Sequence, residues 1–87
     1  MDRIVIHGSP VSFMQQIYVY KDKKIVDEAE ASFDSLPNVV TAFIKKYNIK
    51  TIDLTGVHSF VKEIENRLTS MKPSDFNFLE EIHFRYL

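Results

Sequence analysis

Seven residues, Lys50-Thr51-Ile52-Asp53-Leu54-Thr55-Gly56, constrain this chain more than any others. They alternate apolar and polar, as a half-buried strand does, and they lie between two stretches with helical periodicity. Before them, Leu36, Val39, Val40, Phe43, Ile44 and Tyr47 recur at three- and four-residue spacing. After them, Val57, Phe60, Val61, Ile64, Leu68 and Met71 do the same. Each set is one apolar stripe on a helix. A strand held between two such helices belongs to a sheet that the helices cover.

The other strands follow from composition and turn chemistry. Arg3-Ile4-Val5-Ile6-His7 is β-branched and closed by Gly8-Ser9-Pro10, which reads as a buried strand ending in a turn. Gln16-Ile17-Tyr18-Val19-Tyr20 has high strand preference. Lys21-Asp22-Lys23-Lys24 is a polar turn, and Ile25 to Ala31 returns as the second arm of a hairpin. Its charges suit an edge strand. A helix over 25–32 is the competing assignment, because Glu and Ala are good helix formers. Asp34-Ser35-Leu36-Pro37 opens the first helix with a capping side chain and an early proline. Lys45, Lys46 and Asn48 suit its end. Pro73 stops the second helix, and Phe78 to Tyr86 forms a final strand in which Ile82, Phe84 and Tyr86 alternate with Glu81, His83 and Arg85.

Period-two geometry then sorts the strand residues. One face holds Ile4, Ile6, Ile17, Val19, Ile52, Leu54, Ile82 and Phe84. The other holds Val5, His7, Tyr18, Tyr20, Thr51, Asp53, Thr55, Glu81, His83 and Arg85. The first face needs the helices; the second can meet water. The expected architecture is a two-layer α/β (α+β) sandwich of order β-β-β-α-β-α-β, one domain spanning 1–87.

With 87 residues, 45% hydrophobic and 26% charged, the chain suffices for one modest core. Eleven basic and twelve acidic residues give a net charge of -1, unlike a strongly basic nucleic-acid binder. The absence of cysteine removes disulfides, thiol nucleophiles and Cys-ligated zinc, and fits a cytoplasmic setting. No apolar run reaches membrane-spanning length, and Met1-Asp2-Arg3 leads into a strand rather than a signal peptide.

The element order, carried by Ile4–Ile6, the hairpin Ile17–Ala31 and the run FIKKYNIKTIDLTG from Phe43 to Gly56, resembles the core of the ribonuclease-H-like superfamily, which includes Holliday-junction resolvases and actin-like domains. The resemblance implies a five-stranded mixed sheet of order 3-2-1-4-5, with two helices on one face and the first strand parallel to the fourth. The run IHGSPVSFMQQIYVYKDKKI also resembles short open reading frames of tailed bacteriophages, which implies a phage-encoded protein in a host cytoplasm.

Enzymes of that superfamily bridge carboxylates of the first and fourth strands to a phosphate with two metal ions. Here the first strand has no acid, Asp53 alone matches the fourth-strand position, and the later acid that the superfamily places on a C-terminal helix is missing, since the sequence ends at Leu87 after the final strand. The expectation is a scaffold without its catalytic set, needing no cofactor. A degenerate metal-dependent nuclease is an alternative. Four other constellations stand out in the sequence. His7, Asp53 and His83 share the polar face and would bind a divalent metal if they converged; otherwise they are solvated polar groups. Gly8 and Gly56 follow strands where α/β sheets bind ligands, but serve equally as tight-turn residues. Lys21, Lys23 and Lys24 form a basic hairpin tip, with Lys45, Lys46 and Lys50 as possible neighbours, and Tyr18 and Tyr20 could stack bases; Glu28, Glu30, Glu80 and Glu81 dilute any positive field. Finally, Phe13, Met14, Tyr18 and Tyr20 lie outside the helical layer and suit an interface. The reading that results is a non-catalytic protein-interaction domain acting as a homodimer, with nucleic-acid binding as the rival.

Overall fold

The computed structural model describes residues 2–8, 13–70 and 82–87. The elements are β1 (Arg3–Gly8), β2 (Gln15–Lys21), β3 (Lys24–Ala31), α1 (Leu36–Tyr47), β4 (Thr51–Gly56), α2 (His58–Thr69) and β5 (His83–Tyr86). They form a five-stranded sheet of order β3-β2-β1-β4-β5. The first three strands are a meander, antiparallel at each pairing; β4 runs parallel to β1, and β5 parallel to β4. Residues 25–31 are strand, so packing beside β2 overrides the helix propensity of Glu and Ala.

Alternation sets the core. Ile4, Ile6, Ile17, Val19, Ile52 and Leu54 are all 0% exposed, and they meet the α1 stripe of Leu36, Val40 and Ile44 and the α2 stripe of Val61, Ile64 and Leu68. Each such side chain taken from water contributes about 1.5–3 kcal/mol before entropy is counted. Ile82 and Phe84 pack half-buried against the same cluster, at the sheet's thinner edge. Tyr86 turns to the helical layer too, where its hydroxyl donates to Glu65 of α2.

Helix ends depart from expectation in two places. Ser35 occupies the N-cap of α1, but its side chain makes no capping bond; the hydroxyl is engaged by Ser32 instead. Val57 is the N-cap of α2, extended and exposed, not a member of the stripe. Asn48 does end α1 in the left-handed conformation, φ 54°, and its N–H donates to the Ile44 carbonyl. The final strand is four residues long; the earlier part assigned to it, Phe78 to Glu81, lies outside the described residues, as do Met71 and Pro73.

The edge strand β3 carries a bulge. The register steps from Val19↔Asp27 to Tyr20↔Ile25, leaving Val26 unmatched. Asp27 points to the helical layer, where its carboxylate accepts from the Tyr47 hydroxyl at 2.7 Å and lies 3.7 Å from Lys46. The Tyr47 bond, ahead of the Glu28 amide and the Lys46 charge, holds the Asp27 carboxyl below its ordinary value of 3.8. A depressed carboxylate contributes stability above its unfolded pKa, and loses it as pH falls through the folded value. Tyr47→Phe is therefore expected to lower the melting temperature at neutral pH. The gap to wild type should narrow as acid protonates the Asp27 carboxyl, below its ordinary value of 3.8; a gap unchanged at the lowest pH at which the fold persists would assign the loss to packing.

Candidate functional site: the open face of the sheet

Register arranges the polar face in rows. One row crosses all five strands, Glu28-Tyr18-Val5-Asp53-Arg85 from β3 to β5. Beside it, on one side, runs Ile25-Tyr20-Arg3, level with Thr51 and His83. On the other side lie Glu30, Gln16, His7 and Thr55. The side chain of Gln16 donates to Glu30 at 2.8 Å.

The centre of the face is Asp53, a carboxylate only 1% exposed. Arg85 grips it with two bonds, Nε to Oδ1 at 2.5 Å and Nη2 to Oδ2 at 2.8 Å. Arg3 approaches from β1, with Nε 3.1 Å from Oδ2, and its guanidinium lies over the Tyr20 ring at 4.3 Å. A bidentate Arg–carboxylate pair is among the stronger polar contacts a protein makes. The Asp53 carboxylate in turn raises the Arg85 pKa through the same bonds. The group thus spans β1, β4 and β5 and carries one net positive charge.

This geometry corrects the metal constellation. His83 is level with Thr51, whereas His7 is level with Thr55. The two imidazoles are therefore about 13 Å apart along the strand direction, with Asp53 midway and already held by guanidinium groups. Among the described residues no three His, Cys, Asp or Glu side chains are grouped to hold a metal ion. Arg3 and Arg85, the true neighbours of Asp53, share its parity on the face; parity alone could have flagged them as partners for a buried acid.

The remaining candidates separate. Tyr18 and Tyr20 lie on the face in adjacent rows, and Arg3 covers Tyr20. Phe13, 93% exposed, and Met14 precede β2 at the other end, six or more residues from Tyr20. Gly56 has φ 119°, and a Cβ there would sit 2.1 Å from the Gly8 carbonyl oxygen. Both glycines thus serve the β1–β4 pairing itself, in which they are opposite. Lys21, Lys23 and Lys24 are exposed at the hairpin tip, and Lys21 does meet the end of α1: its Nζ and that of Lys46 lie 5.9 and 5.2 Å from the Tyr47 ring centre.

A meander of three antiparallel strands, a parallel β1–β4 pair and a parallel β5, with α1 and α2 on one side, is the ribonuclease-H-like fold. Among solved structures the chain is similar to RNase H1 from the halophilic archaeon Halobacterium salinarum NRC-1, with a TM-score of 0.53 and 11% sequence identity over 99% of this chain and 83% of that one. At that identity the likeness is one of fold. No protein-family model matches the chain, and no curated protein matches its sequence. No helix among the described residues is long and apolar enough to cross a membrane.

Proposed function

We propose that this chain is a non-catalytic ribonuclease-H-like domain that works through protein contacts, as a homodimer. The observation that supports it is the state of Asp53. It is the one acid on the parallel pair β1–β4, and both of its oxygens are taken by arginines of flanking strands. A carboxylate so held has its charge offset and its lone pairs occupied, so it is poorly disposed to a divalent cation. Two-metal phosphoryl chemistry asks for at least two carboxylates at the ion pair, and β1 carries none. What the face offers is recognition: half-buried Val5, Tyr18 and Tyr20 bordered by charge.

Incubation with an RNA–DNA hybrid, single-stranded and duplex DNA in magnesium or manganese is expected to yield no cleavage above buffer. Metal-dependent cleavage that co-elutes with the folded protein would overturn the non-catalytic reading. Sedimentation across a concentration series is expected to show a monomer–dimer equilibrium.

A second reading draws on the approach of Lys21 and Lys46 around Tyr47, which gathers lysines of the hairpin tip and the α1 terminus at one end of the sheet. That end would contact phosphates without base selectivity. Fluorescence anisotropy with labelled single-stranded DNA tests it, with binding that falls steeply with salt as the supporting result. No binding at low salt would remove it.

A further inference from the structure

We propose that a second copy of this chain docks on the open face, sheet against sheet, with the twofold axis running along β1 above Val5. The inference rests on the homodimer reading and specifies its geometry. It comes from the way charge is laid out along one row. Exposed Glu28 and Glu30 stand at the β3 side, while Arg85 stands on β5 and shares the single charge of Asp53 with Arg3 of the central strand β1. The face is therefore negative at one edge and positive at the other, with Val5 and Tyr18 between.

Symmetry decides which arrangement uses this. A twofold axis parallel to the strands carries each row onto itself and sets β3 of one copy over β5 of the other. Glu28 then meets Arg85 of the second copy at two symmetry-related places, and Val5 meets Val5; Arg3, on the axis strand, faces Arg3, a single like-charge contact offset by the bond of each to Asp53 and its seat over the Tyr20 ring. An axis across the strands through the same row would set β3 over β3 and β5 over β5, with Glu28 against Glu28 and Arg85 against Arg85, where like charges repel. Facing sheets pack about 10 Å apart with strands within about 30° of each other, so the row-on-row correspondence survives twisting. Arg85 has donors to spare: Nε and Nη2 are spent on Asp53, and Nη1 remains for a second carboxylate. Phosphates do not suit this face, since among the described residues Glu28, Glu30 and the Asp53 group leave it net negative. The patch is about 19 Å across five strands and about 13 Å along them over three rows, roughly 250 Å² in projection, small beside the roughly 800 Å² per partner of a stable complex. The dimer accordingly dissociates on dilution.

The chain contains no cysteine, so a single introduced thiol reports the geometry. Val5→Cys, treated with a bismaleimide whose spacer is about 8 Å, is expected to give a covalent dimer across sheets about 10 Å apart. Asn66→Cys, on exposed α2 behind the sheet, is expected to stay monomeric under the same treatment. Glu28→Lys leaves the centre of the face untouched, and is expected to weaken dimerisation about tenfold or more; raised salt should weaken the wild type in the same direction. A wild-type chain that sediments as a monomer at every concentration overturns the homodimer reading and this inference together. A dimer that Val5→Cys does not capture, or that Glu28→Lys leaves unchanged, overturns the docking geometry alone. Should Val5→Cys fail to fold, the Glu28→Lys sedimentation result decides.

Discussion

Gly56→Ala is expected to abolish the native fold at physiological temperature, or to lower the melting temperature by roughly 15 °C or more. Two costs fall on the same atom. The backbone at Gly56 has φ 119°, a region that L side chains rarely adopt, and a Cβ would stand 2.1 Å from the Gly8 carbonyl oxygen and 3.0 Å from the Gly8 carbonyl carbon. Backbone, unlike a flexible side-chain tip, cannot step aside without parting β1 from β4. Strain of this kind costs about 1–3 kcal/mol by itself, and the overlap adds a similar amount. Against a total stability of about 5–15 kcal/mol, that is a large share. Gly8→Ala is the control. There the new methyl would meet the Ile64 Cδ1 at 3.1 Å and the Phe60 Cβ at 3.3 Å, contacts that a small shift of α2 relieves, so a loss of about 1 kcal/mol is expected. Thermal melts by circular dichroism compare the two; equal losses would refute the backbone argument.

Asp53→Asn is expected to destabilise the protein by about 2–4 kcal/mol, despite preserving shape. Removing the charge leaves two guanidinium groups converging on a neutral amide, one half of which is itself a donor. The cost stays below that of a fully buried pair because the Arg3 and Arg85 side chains are 27% and 44% exposed. Arg85→Met is expected to cost less, because Asp53 keeps Arg3. Losses in Asp53→Asn combined with Arg85→Met should then sum to less than the two singles, as for residues of one network. Denaturant unfolding of the four proteins measures this, and strict additivity would deny that the three residues act as a unit.

Much of the architecture was legible because two periods dominate the sequence. Ile4, Ile6, Ile17, Val19, Ile52 and Leu54 alternate, and α1 and α2 present stripes, so faces and layers followed from residue spacing. The strand order did not come from spacing; it came with the superfamily resemblance, and the pairing confirms it. Terminal positions were less legible. Ser35 has a capping residue's chemistry, yet a neighbouring serine captures its hydroxyl, a competition that no pattern reveals. The site was legible by parity and obscure by register. His7, Asp53 and His83 share a face, as expected, but whether they meet depends on the stagger between strands far apart in sequence. That stagger is set by core packing on the opposite side, where Ile4 faces Ile52 and Ile6 faces Leu54. The result puts Val5 and Arg85, not the histidines, beside Asp53.

The unmatched Val26 has a wider consequence. An incoming strand adding to the rim of this sheet would need an unbroken ladder of amide and carbonyl groups, and the rim at β3 is kinked there and flanked by Lys24, Asp27 and Glu28. Bulges and charges of this sort deter strand-by-strand growth. The molecule is thereby guarded against open-ended polymerisation at that rim.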